Sequence, residues 1–146
     1  MLTKNYYKSK IFSIASISFV LFVIVSLGSC ARKMTFGVSP VVPAATGKVK
    51  IKKSKNDNYV INVKVLNLAP ANRLSPSREL YVVWMQTDRS RVKNIGMIKS
   101  SKGFLSNKFK GDMTATSIEK PTEIFITAED NGNVSYPGSQ VVLKTE

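Results

Sequence analysis

The sequence predicts an all-β fold, a small antiparallel β-sandwich, and three observations carry that expectation. Apolar and polar residues alternate with a period of two in several runs after residue 46, as they do in strands with one buried face. Clusters of Asn, Asp, Gly, Pro and Ser separate those runs at intervals of roughly 8 to 15 residues, a spacing that suits a sandwich or barrel. Beyond residue 30, no segment combines a 3.6-residue period with capping residues, so nothing there argues for a helix.

The chain opens with Lys4, Lys8 and Lys10, followed by an apolar run over 11–27 broken only by serines. A spanning helix needs about 20 apolar residues, with about 17 as the lower limit. The run therefore fits a secretory signal or a short anchor. Residues 31–46, with Pro40 and Pro43 among small residues, read as a flexible, irregular tether. Residues 48–52 (KVKIK) alternate as a half-buried strand, and 53–58 (KSKNDN) form a turn. Residues 59–68 make a longer strand, with Tyr59, Ile61, Val63 and Val65 on one face and Asn62 and Lys64 on the other. These two runs suggest a hairpin.

Residues 70–79 form a proline-bearing loop, and 80–85 (LYVVWM) are apolar on both faces, as in a central strand. A strand over 92–99 contains Gly96, where a bulge or a close backbone approach is expected. A short strand is expected over 104–109, and at most a turn of helix over 112–120. Strands over 123–129 and 140–144 complete the set, and Asp130-Asn131-Gly132 between them is a hairpin-turn signal. About seven strands point to an immunoglobulin-like arrangement.

Cys30 is the only cysteine, and it ends the order Leu27-Gly28-Ser29-Cys30 just after the apolar run. That order resembles the lipobox of bacterial lipoproteins. The resemblance implies a signal peptide over 1–29, cleavage before Cys30, and lipidation of its thiol with fatty acyl chains such as palmitate. At about 0.8 kcal/mol per buried CH₂, two or more chains anchor stably where one does not. The rival reading is an uncleaved anchor; either way the lysine-rich flank stays inside and the rest lies outside the cytoplasm. Ala31 in place of an acidic residue resembles the signal for transfer to the outer membrane, facing the periplasm in a Gram-negative cell. The expected organisation is then a signal over 1–29, a lipidated cysteine and tether over 30–46, and a sandwich over 47–146.

Losing 29 of the 146 residues, with three lysines and no acidic group among them, leaves 117 residues and takes the net charge from +13 to +10. That length makes one domain, and the charge invites an anionic partner. Export removes nucleic acid, leaving membrane lipid, lipopolysaccharide phosphates or another anionic envelope polymer.

Several short pieces resemble the extracytoplasmic C-terminal domain of the anti-sigma-K factor family: Asn67-Leu68-Ala69-Pro70, Tyr81-Val82-Val83-Trp84, Asn94-Ile95-Gly96, Ile126-Thr127-Ala128-Glu129 and Pro137-Gly138. The resemblance spans roughly 49–143 and implies a small β-sandwich outside the cytoplasmic membrane. The sigma-binding role does not carry over. About ten residues precede the apolar run, too few for the helical domain that such a role needs.

The chain contains no histidine, which removes Ser-His-Asp and Cys-His catalysis and histidine-based zinc ligation. Ser100, Ser101 and Lys102 could be arranged as a Ser-Lys dyad on paper but read as a polar turn. Glu129-Asp130-Asn131-Gly132-Asn133 resembles half a calcium loop without the closing glutamate, so a turn is expected and no metal. Trp84 reads as a core aromatic. Lys48, Lys50, Lys52, Lys53 and Lys55 crowd the first hairpin, the first three on one strand face, and form a candidate surface for anionic lipid or glycan. The expected function is a non-catalytic binding or scaffolding lipoprotein of the cell envelope, without cofactor. The alternative is a sensory or regulatory module, anti-sigma-like, that contacts a membrane protein.

Overall fold

Alternation of apolar and polar side chains becomes two facing sheets in the computed structural model, which describes residues 31–89, 91–103 and 106–146. The strands are β1 (Arg32–Thr35), β2 (Thr46–Lys53), β3 (Tyr59–Leu66), β4 (Leu80–Thr87), β5 (Val92–Ile98), β6 (Ser101–Gly103), β7 (Ser106–Ser117), β8 (Pro121–Glu129) and β9 (Val141–Lys144). One sheet has the order β1-β2-β3-β7-β6 and the other β5-β4-β8-β9, with antiparallel pairing throughout. Apart from the extra edge strand β1, this is the strand order of an immunoglobulin-type sandwich, and the chain crosses between sheets after β3, β5 and β7. The β-sandwich expectation holds.

The inward residues meet between the sheets. Val49 and Ile51 of β2, Ile61, Val63 and Val65 of β3, Tyr81, Val83 and Met85 of β4, and Ile124 and Ile126 of β8 form one buried cluster. The first hairpin is as expected, its turn carrying Asp57 in the left-handed region at φ 60°. Gly96 adopts φ 136°, and the β4–β5 register shifts between Val83 and Trp84, so the expected irregularity at this glycine is present.

Three local expectations need correction. Residues 31–46 are not a tether. They supply β1, and Met34, Phe36, Val42 and Ala45 are buried in the core. Pairing Phe36 with Thr145 and donating Gly37 N–H to Lys144 O at 2.9 Å ties this segment to the opposite sheet. Prolines and glycines masked a segment that is irregular only in part. The second correction concerns residues 112–117, which are the second half of the long strand β7 paired along β3. Threonine-rich sequence with weak alternation suits a strand whose outer face is solvated.

The third is the chain after β8. It does not turn back at Asn131-Gly132 but crosses the outer face of its own sheet before β9 begins. Trp84 is a core aromatic, as expected. It is fully buried, yet not between the sheets: with Val82 and Phe125 it forms a separate cluster, flanked by Leu80 and Val134. In antibody domains the corresponding tryptophan packs in the inter-sheet core; here it lies on the opposite face of the equivalent strand.

Candidate anion-binding face

The alternation that buries Val49, Ile51, Val63 and Val65 leaves the intervening side chains of β2 and β3 on the outer face of the five-stranded sheet. Strand register assembles them into rows. Lys33 of β1 lies opposite Lys50, which lies opposite Asn62 and then Thr114. Thr35, Lys48, Lys64 and Asp112 form the next row; Thr46, Leu66 and Lys110 form a third. Lys52 sits opposite Val60. Lys33, Lys48, Lys50, Lys52, Lys64 and Lys110 are all exposed, and Asp112 is the acidic residue among them.

Two of these cross-strand pairs, Lys33–Lys50 and Lys48–Lys64, set like charges directly opposite each other. Such pairs weaken a sheet. Folding tolerates them because the ammonium groups reach into water, and an anion between them would relieve the repulsion. Lys48, Lys50, Asn62 and Lys64 line an open recess of about 240 Å³. Thr114 donates its hydroxyl to Asn62 Oδ1 at 2.9 Å, which leaves the Asn62 amide hydrogens as donors. The recess is therefore lined by donors from three lysines and an amide.

Of the residues expected on this surface, Lys48, Lys50 and Lys52 share it. Lys53 does not; it falls on the other strand parity and pairs with Asp57 at 2.7 Å. That contact raises the Lys53 pKa and lowers that of Asp57, chiefly through their hydrogen bond. Lys55 lies in the exposed turn. Lys33, Lys64 and Lys110 join instead. Lys64 was legible as the polar side of an alternating strand, whereas Lys33 and Lys110 belong to strands that the pattern did not mark there.

The other singled-out groups are engaged locally. Ser100 donates its hydroxyl to Leu68 O, and the ammonium of Lys102 lies 5.6 Å from the centre of the Phe109 ring. Glu129 Oε1 accepts from Thr127 Oγ1 at 2.6 Å and from Gly138 N–H at 2.7 Å. Asp130 pairs with Arg78 at 2.5 Å, and Asn131 Oδ1 accepts from Asn133 N–H at 2.9 Å. These oxygens hold a loop in place. Trp84 Nε1 donates to Thr127 Oγ1 at 2.8 Å, and its ring stacks on Phe125 at 6.3 Å between centroids. Leu27, Gly28, Ser29 and Cys30 lie outside the described residues.

No family model, curated protein or solved structure matches the chain.

Proposed function

We propose that the chain is a lipoprotein of the cell envelope, held by acyl chains on Cys30, whose β-sandwich binds acidic groups without chemistry of its own. The lysine face carries this reading: among the described residues, the exposed ammonium groups of Lys33, Lys48, Lys50, Lys52, Lys64 and Lys110 share one sheet surface with the carboxylate of Asp112. A net charge of +13 over the whole chain agrees with an anionic partner. The order Leu27-Gly28-Ser29-Cys30 supplies the anchor.

Two measurements test it. Metabolic labelling with a fatty acid should mark the protein and fail in Cys30→Ala. The detergent-solubilised full chain should bind polyphosphate, and Lys48→Glu with Lys50→Glu should weaken binding by at least about tenfold, taking about 1 kcal/mol per lysine near an anionic surface. Affinity unchanged by these substitutions or by salt would sink the binding role. The regulatory alternative draws its support from the edge strand β5, where Val92 and Met97 are 40% and 48% exposed. Cross-linking from β5 to one membrane protein would favour it.

A further inference from the structure

One residue, Ala31, separates Cys30 from the first residue of β1. Two residues of extended chain span at most about 7 Å, so a lipid-bearing Cys30 would hold the Arg32 end of β1 at the bilayer surface. A domain held this closely keeps its charged surface within reach of the headgroups, so surface charge can set which side faces them. We propose that the lysine face lies flat against the acidic phospholipid headgroups of the membrane that anchors the chain. This rests on the lipid-anchor reading of Cys30 and gives the binding face its partner.

Three features of the surface favour a membrane over an isolated ligand. The face begins on β1 itself: Lys33 lies one residue beyond Arg32 and opposite Lys50. Its donors form a broad array across β1, β2, β3 and β7, about 15 Å wide at the usual strand spacing. Such an array matches a plane of phosphates better than one enclosed anion. Leu66, 44% exposed, sits in the same surface between Thr46 and Lys110, where an apolar side chain can enter the interfacial layer.

Charge also sets the direction. On the opposite sheet Glu123 is paired with Lys144 at 3.0 Å, and Asp130, where the crossing loop begins, is paired with Arg78 at 2.5 Å, so acids and bases offset each other there. A negatively charged surface attracts the lysine side more strongly than the charge-paired side, and the attraction fades beyond about 8 Å at physiological salt. The lysine face therefore turns inward, and the loop bearing Tyr136, 84% exposed, turns towards the aqueous compartment.

The test uses the full lipidated chain in vesicles of 30% phosphatidylglycerol in phosphatidylcholine. Thr116→Cys places a fluorophore on the lysine face, and Ser135→Cys places one on the far loop. A lipid carrying a headgroup nitroxide should quench the Thr116→Cys label several-fold more than the Ser135→Cys label. The difference should shrink in 0.5 M salt, in pure phosphatidylcholine, and when Lys48, Lys50 and Lys64 are changed to Glu, with Trp84 emission confirming that this variant is folded. Equal quenching at both positions, or a difference indifferent to salt and lipid charge, overturns the proposal. If the labels report no docking while polyphosphate still binds, the binding function survives and the membrane does not occupy the face. Two labels per chain would expose a free Cys30 thiol and overturn the anchor together with the docking.

Discussion

Trp84 is held by stacking on Phe125, by burial, and by its indole hydrogen bond to Thr127. Truncation in Trp84→Ala should cost roughly 3–5 kcal/mol, visible as a lower urea midpoint. Tyr81 faces the opposite way, into the main core, and donates its hydroxyl to Ala69 O at 2.6 Å. Burial pushes its phenol up from 10.0 to about 12. Because the folded pKa is raised, the associated stability is present below pH 10 and is lost as pH rises towards 12. Tyr81→Phe should flatten that part of the alkaline stability curve, while at neutral pH it loses about 1 kcal/mol with the hydrogen bond. An alkaline limb identical in the variant would contradict this.

At the level of elements, β1 and the loop over 130–140 each do more than connect. Met34 and Phe36 are buried beside β2, so Met34→Ala should cost roughly 2–3 kcal/mol by the usual penalty for emptying a core site. A true tether would show no loss in chemical denaturation. The loop is pinned by Asn94, whose amide donates to Gly132 O at 2.8 Å and Val134 O at 3.1 Å. It is pinned again by Gly138 N–H on Glu129. Asn94→Ala leaves two carbonyls unpartnered and should destabilise by about 1–3 kcal/mol. Since Trp84 is the only tryptophan, its emission reports directly on the loop. Acrylamide should quench it more strongly in the variant, and unchanged quenching would show that Asn94 does not hold the cover closed.

Across the whole molecule, the sheets are joined at their margins as well as through the core. Glu119, in the connection between β7 and β8, accepts Lys93 of β5 at 3.1 Å and lies 3.7 Å from Arg91. The hydrogen bond from Lys93 comes first among the causes that hold its carboxyl below the ordinary 4.5. A depressed folded pKa contributes stability above the unfolded value and loses it as pH falls through the folded one. Glu119→Gln should therefore destabilise at pH 7 but narrow its deficit on acidification below about pH 4.5, as followed by urea midpoints at several pH values. A deficit constant across that range would count against the clamp.

The legibility of the fold follows from the strength of its alternation. Val49 and Ile51 opposite Ile61 and Val63 marked the first hairpin, because each strand has one buried and one solvated face. β4 was equally visible as a strand, yet having apolar residues on both faces it gave no sign of which one holds the main core. β1 was hidden because four residues between loop-like neighbours carry too short a period to read. Lys48, Lys50 and Lys52 could be placed on one face from their spacing alone. Lys64 was legible as the polar side of the next strand, whereas Lys33 and Lys110 joined them only through inter-strand register.

Sequence by itself determined the β class, the lysine alternation along β2 and the single thiol after an apolar run, because these depend on local period and composition. Tertiary structure decided that Trp84 lies outside the main core, that residues 31–46 belong to the domain, and that lysines from four strands share one surface. Those outcomes depend on which segments become neighbours across hydrogen-bonded strands, a relation between distant residues that no local pattern encodes.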